Sequence, residues 1–535
     1  MDIKKDCGLD FIFDRLIPSG YYGKNYLKNL NLFTLEEEDQ LKEEYFYLNN
    51  ISKYASLSTI STKVIREVIS DIKNIKGSVL RLKNGEYLCD IELYEIKNFN
   101  LSLKKLDNIL NKYSWNNYSK NKFEISKELQ KILDPNETLS SSFTIYSEYS
   151  NELKNIRNDI DKKMQEEKNR LLILAKKIEK KYNISIKHFN QIIIDKNNIE
   201  LNEKFLLDNS IVYQSEDYLK KRYKVSDEKT EKYIRELNIL KAKEIEEEDR
   251  VLKKISKELL IYIDFLERQI EILEKFDFRI AKAIFSNSFD CVKPDIISEN
   301  KIKIVNGRHL KTENIVGKDN FTAINIELNN GVTCITGANM GGKTVNLKLI
   351  AQCTLLAQFG LFVPAEKFEF SLREFVEISS GDSQSVETGL STFGSEIVNM
   401  KSSIARSNER GLILIDELAR GTNPLEGTAI SKAIVNYLKT KNSISVITTH
   451  FEGVGHIKEV KQLQVAGLNK EKLKDLFTSN YTNKTLRKLQ EIMDYHLIEI
   501  DDDVSIPKDA IEIAKLLGLD NDILIDALRY LKEER

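Results

Sequence analysis

Between Asn136 and Lys293 the sequence has no glycine and no proline, although the chain contains 22 and 6 of them. These two residues punctuate turns and interrupt helices, so their absence excludes a loop-rich region and predicts long unbroken helices. Cysteine is also sparse: Cys7, Cys89, Cys291, Cys334 and Cys353 are scattered, odd in number and never spaced as C-x-x-C. That pattern argues against a disulfide framework or a zinc site and fits a reducing interior. Nowhere is there a run of about 18 apolar residues, and the opening MDIKKDCGLDFIFDRLIPSG has no uninterrupted apolar segment. A soluble, cytoplasmic protein without a membrane partner is expected. An excess of one charge is missing too, with Lys+Arg 81 against Asp+Glu 83. No whole-molecule field draws the chain onto nucleic acid, although a local basic patch remains compatible with this balance.

What is present begins with size. A chain of 535 residues with 41% apolar content predicts two to four units around separate cores. The first 130 residues read as short amphipathic helices without a chemical motif. From Ser226 onward, Ile234, Leu237, Ile245, Leu252, Ile255, Leu259, Ile263, Leu266, Ile270, Leu273 and Phe276 recur at mostly three- and four-residue steps, the helical period. A continuous helix of about 50 residues would span roughly 75 Å. A partner helix is expected over about Asn151–Lys181, and a strand-like patch between the two. Such a helix pair suits either a coiled-coil spacer or a moving lever, and periodicity does not separate them.

Glycine returns late: 16 of the 22 lie between Gly307 and Gly467. Within that span VTCITG-ANMGGKTVNLKLIAQ reads as strand, loop and helix, matching G-x-x-x-x-G-K-[ST] through Gly337, Gly342, Lys343 and Thr344. Glycines let backbone N–H groups curl around phosphates, a lysine supplies charge to the β and γ phosphates, and the threonine hydroxyl can ligate magnesium. ATP with Mg2+ is the expected cofactor pair. About 75 residues on, GLILIDELARGTNPLEG places Asp416 and Glu417 at the end of a short apolar strand, where α/β sheets bind ligands. Asp416 is expected in the magnesium shell, and Glu417 beside the attacking water. SVITTHF repeats the strand pattern and ends at His450, a candidate phosphate sensor or a satisfied core histidine. His188, His309, His456 and His496 have no comparable context.

In order and spacing, TGANMGGKT, FGLFVPAE, ETGLSTFGSEIVNM, LILIDELARGTNPLEG and TTHF resemble the ATPase domain of the MutS family, an ABC-type fold. The resemblance covers about residues 300–460 and implies a homodimer that shares each ATP. It adds Ala338, Asn339, Met340 and Gly341 to the phosphate loop. Ser391 becomes the signature serine that reaches the γ phosphate across the dimer, and Arg420, Gly421, Thr422 and Asn423 form a segment crossing the interface. By the same resemblance His450 is the switch histidine. With Lys343, Glu417 and His450 as catalytic residues, the expected enzyme is an ATP hydrolase. The expected architecture is multidomain: a helical core over 1–135, a long-helix lever with a small β patch over 136–295, the α/β P-loop ATPase domain over 296–465, and a helical dimerisation segment over 466–535.

Departures from the family bear on the client. No Phe-x-Glu wedge of the mismatch-reading kind occurs in the first 100 residues, and the tail reads Ser505-Ile506-Pro507-Lys508 where the family has a Gly-Ser-Tyr-Gly run. Residues 201–260 carry 14 Lys+Arg and 14 Asp+Glu, whereas a clamp closing on DNA is expected to be basic. The layout is similar to the MutS-like ATPase subunit of reactivases for adenosylcobalamin-dependent aminomutases, such as lysine 5,6-aminomutase and its ornithine counterpart. That likeness implies ATP-driven release of damaged cobalamin from an aminomutase client, with a small companion subunit. The alternative is a MutS-like ATPase acting on mismatched, branched or distorted DNA, and an ATP-gated scaffold is a third reading.

Overall fold

The computed structural model describes residues 6–136, 144–186, 190–337, 342–379, 392–419, 421–451, 453–454, 457–468, 493–500, 510–516 and 519–533. The chain forms two compact units. One gathers residues 72–105 and 123–271, the other residues 1–71, 106–122 and 272–535. This grouping interleaves segments where the sequence suggested four consecutive blocks.

The first of these units is built on two long helices, Asn151–Tyr182 and Glu228–Leu259. Each starts at a side-chain cap: Ser150 accepts from the Leu153 N–H, and Asp227 from the Thr230 N–H, so an otherwise orphaned first-turn donor is satisfied. The helices run antiparallel, as their polar partners show. Arg157 binds Glu244 at 2.8 Å and Glu248 at 2.6 Å, Lys163 binds Glu236 at 2.9 Å, and Arg170 binds Asp227 through Nε at 2.9 Å. Between these pairs Ile156 and Ile160 pack on Leu237 and Leu240. The expected single helix of about 50 residues is not continuous. It ends at Leu259, a 3-10 turn covers Leu260–Tyr262, and a new helix starts at Ile263. Leu259 is fully buried there while Ile261 is 80% exposed, and short 3-10 segments commonly make such joints.

The expected β patch is a three-stranded antiparallel sheet, β1 (Gln191–Asp195), β2 (Ile211–Glu216) and β3 (Lys220–Val225), in the order β1-β3-β2. Its inner face, with Ile192, Ile211, Tyr223 and Val225, packs on Leu171, Leu174 and Ile178 of the helix Asn151–Tyr182. Strand alternation therefore puts Lys220, Arg222 and Lys224 on the opposite face of β3.

The second unit holds two sheets. One joins β4 (Asp295–Ile296), β5 (Lys301–Gly307), β6 (Ile324–Asn329) and β8 (Lys367–Phe370) in the order β4-β8-β5-β6. The other contains β7 (Gly331–Thr336), β9 (Val376–Ser379), β10 (Leu412–Ile415), β11 (Ile444–Thr448), β12 (Lys461–Leu468) and β13 (Met493–Glu499). Its order is β13-β12-β7-β11-β10-β9, all neighbours parallel except β13 on β12. Every residue of β7, β10 and β11 is buried, as expected of central parallel strands covered on both faces. The N-terminal residues belong to this core: the Cys7 carbonyl accepts from Gln352 Nε2 at 2.9 Å and meets His309 Nε2 at 3.2 Å. Buried Glu44 accepts from Arg279 and Lys282, and Lys282 also donates to the Gly360 carbonyl.

Candidate active site

Three parallel strands deliver their next residues to one edge of the sheet. After β7 comes Gly337, whose φ of 131° lies in the left-handed range. A Cβ there would sit 3.2 Å from Val465 Cβ, so the backbone conformation favours glycine and the space for a side chain is tight. Gly342, at φ 80°, precedes the helix Lys343–Gln358, and a Cβ on it would lie 3.1 Å from Cδ1 of Tyr495 on β13. Ala338, Asn339, Met340 and Gly341 lie outside the described residues, as do Ser391 and Arg420.

Lys343 is 5% exposed and donates to the Gly337 carbonyl at 2.6 Å. Burial pushes its pKa down, while the charges of Glu417 and Asp416 pull it up. Thr344 Oγ1 donates to Asp416 Oδ2 at 2.6 Å, and Thr448 Oγ1 donates to Asp416 Oδ1 at 2.6 Å. The sequence-predicted lysine, hydroxyl and carboxylates are thus brought together. Glu417 is partly buried and adopts φ 53°, and Ala419 follows at φ 62°. Left-handed backbone disfavours residues with a Cβ by roughly 1–2 kcal/mol each, so the turn after β10 needs outside support. Thr448 supplies some of it, its hydroxyl accepting from the Glu417 N–H at 2.8 Å. His450, two residues beyond β11, is exposed, its ring 4.4 Å from that of Phe451; it is not a core histidine. Asn423 caps the helix Pro424–Leu438 by accepting from the Leu425 N–H at 2.9 Å.

A hydroxyl and a carboxylate in contact beside a buried lysine form the oxygen-rich donor set that magnesium takes with phosphates and water. Among the described residues no group of three or more His, Cys, Asp or Glu could hold a metal ion. Sequence reasoning missed Thr448. Thr448 is visible as the first threonine of TTHF, but only its 2.6 Å contact with Asp416 gives it a role.

Residues 333–532 match MutS domain V. The match includes the strand, loop and helix around Lys343 and both carboxylates. The matched stretch takes in most of β7, the strands β9 to β13, the Lys343–Asp416 cluster and most of the helix Asn521–Glu533. Relatives reach further toward the N-terminus. The protein named Endonuclease MutS2 of Caldanaerobacter subterraneus subsp. tengcongensis is 32% identical over 306 residues, covering 56% of this chain and 35% of the relative. The protein of the same name from Acetivibrio thermocellus is 34% identical over 307 residues, with coverage of 56% and 35%. That of Shouchella clausii is 38% identical over 219 residues, covering 40% and 27%. The chain thus spans about a third of the length of the curated relatives it matches. Among the described residues no helix is long and apolar enough to cross a membrane.

Proposed function

We propose that the protein binds ATP with magnesium, hydrolyses it, and uses the cycle to act on DNA. The observation that carries the ATP half is the contact of Thr344 and Asp416 beside buried Lys343 in a MutS domain V. Lys343 and the glycine-rich turn would hold the phosphates, and Thr344 and Asp416 the metal. Bound magnesium would neutralise phosphate charge as the terminal phosphoryl group leaves. Glu417 would orient and deprotonate the attacking water, with Thr448 holding the Glu417 backbone in place. Ser391 and His450 are proposed γ-phosphate contacts, Ser391 reaching across a homodimer whose interface includes the segment from Arg420 to Asn423. The antiparallel helix pair is the proposed lever.

For the DNA half, support comes from the names of the matched relatives. The aminomutase-reactivase expectation, with its cobalamin-damaged client and companion subunit, finds no support there. The outer face of β3 helps to reconcile DNA with the balanced charge of residues 201–260. Lys220, Arg222 and Lys224 share it, although Arg222 pairs with Asp217 at 3.0 Å and Lys224 approaches Glu231 at 3.8 Å. Gel-shift titrations with linear, branched and mismatched duplexes, with and without ATP at about 0.15 M salt, test this reading. Affinity no better than the nonspecific range of about 10⁻⁴–10⁻⁶ M for every duplex would sink it. Replacing Lys220, Arg222 and Lys224 together by glutamine should weaken binding and flatten its salt dependence by up to about three counterions' worth.

A further inference from the structure

We propose that Glu396 is a positioning residue for Glu417, holding the left-handed turn of residues 417–419 through a hydrogen bond to the Ala419 backbone. The inference rests on the ATP-hydrolysis reading. Its basis is a complete account of four successive amides. Asp416 N–H donates to the Ser379 carbonyl at 2.9 Å, Glu417 N–H to Thr448 Oγ1 at 2.8 Å, and Leu418 N–H to the Thr448 carbonyl at 3.1 Å. Ala419 N–H donates to Glu396 Oε1 at 2.7 Å. The first three acceptors come from β9 and β11, two of them backbone carbonyls and one the Thr448 hydroxyl. The fourth comes from the helix Thr392–Ala405 and from a carboxylate.

That carboxylate is an unusual choice for an acceptor. Glu396 is 6% exposed and Ala419 fully buried, and among the described residues Glu396 makes no ion pair. Burial raises its pKa, and the nearby Glu417 charge raises it further. A carboxylate kept in the interior beside a second carboxylate is disfavoured unless the place requires it. Here it closes the one amide that the sheet leaves over, directly behind the two positive-φ residues Glu417 and Ala419. Glu396 therefore ties the helix Thr392–Ala405 to the turn that presents Glu417.

The test uses the full chain and its E396A, E396Q, E396D and K343A variants, with ATP turnover, binding of a fluorescent ATP analogue and thermal unfolding measured for each. E396A should lower kcat about ten- to hundredfold, the equivalent of one charge-assisted hydrogen bond, and leave KM within about threefold. E396Q keeps a side-chain oxygen acceptor and should recover most of the turnover. E396D keeps the charge but is one methylene short, so it should resemble E396A. Wild-type kcat in E396A, a parallel loss of kcat and nucleotide binding, or E396Q as slow as E396A would each overturn the inference. If E396A does not fold, E396D is compared with E396Q instead: a slow E396D beside a fast E396Q supports the positioning role, and equal rates refute it. Wild type no more active than K343A would instead refute the hydrolysis reading itself.

Discussion

Replacing Thr448 by valine keeps the size of the side chain and removes one hydroxyl. That hydroxyl donates to Asp416 Oδ1 at 2.6 Å and accepts from the Glu417 N–H at 2.8 Å. Asp416 retains the Thr344 hydroxyl, but the Glu417 N–H loses its acceptor next to a residue at φ 53°. Leaving a fully buried donor unsatisfied costs about 1–3 kcal/mol, and this bond is part-buried, so the unfolding free energy should fall by about 1 kcal/mol. To the extent that the hydroxyl holds Asp416 and Glu417 in their working geometry, kcat should drop about ten- to hundredfold. Thr448→Ser restores the hydroxyl and should restore turnover. The measurements are steady-state ATP hydrolysis and denaturant unfolding of the three proteins. A folded Thr448→Val protein turning over at the wild-type rate would refute the claim that this contact organises the site.

Other outcomes follow from the same geometry. Glu417→Gln should bind ATP normally and hydrolyse it at least about a hundredfold more slowly, read as nucleotide retained in single-turnover experiments. His309, buried with its Nδ1 accepting from the Thr312 N–H and its Nε2 at the Cys7 carbonyl, has its pKa lowered by burial to about 4 from 6.5. A depressed folded-state pKa means that this contribution to stability is complete above pH 6.5 and is lost as pH falls from 6.5 through 4, by up to about 3 kcal/mol. His309→Asn, which can still cap the helix Leu310–Val316, should lose less stability between pH 7 and 4.5 than wild type does. Arg157→Ala, losing bonds to Glu244, Glu248 and the Ile145 carbonyl, should destabilise the helix pair by about 1–2 kcal/mol, seen as faster limited proteolysis between residues 151 and 259.

Much of the site was legible because its chemistry is written locally. Gly337, Lys343 and Thr344 follow one strand within eight residues, and a phosphate loop tolerates few other residue types in those places. Asp416-Glu417 and His450 were legible for a related reason: each follows a short apolar run, and parallel sheets expose that end of a strand. The two long helices were legible from period and from missing breakers. Their joint at Leu260–Tyr262 was not, because LLIY continues an apolar pattern and only packing turns Ile261 outward.

Lys343, Thr344, Asp416 and Glu417 could be named from the order of amino acids alone, because the phosphate-loop motif and the strand ends are local runs of residues. The same holds for where long helices run, since a helix is made by its own window of residues. What holds Glu417 emerged only on folding. Thr448 and Glu396 lie 31 and 21 residues from it in opposite directions along the chain, and they reach its turn because β11 pairs with β10 and the helix Thr392–Ala405 packs nearby. Likewise only folding placed Cys7 against Gln352 and grouped residues 1–71 with residues 272–535. Contacts between distant segments depend on how separately formed surfaces fit, and no pattern within either segment encodes its partner.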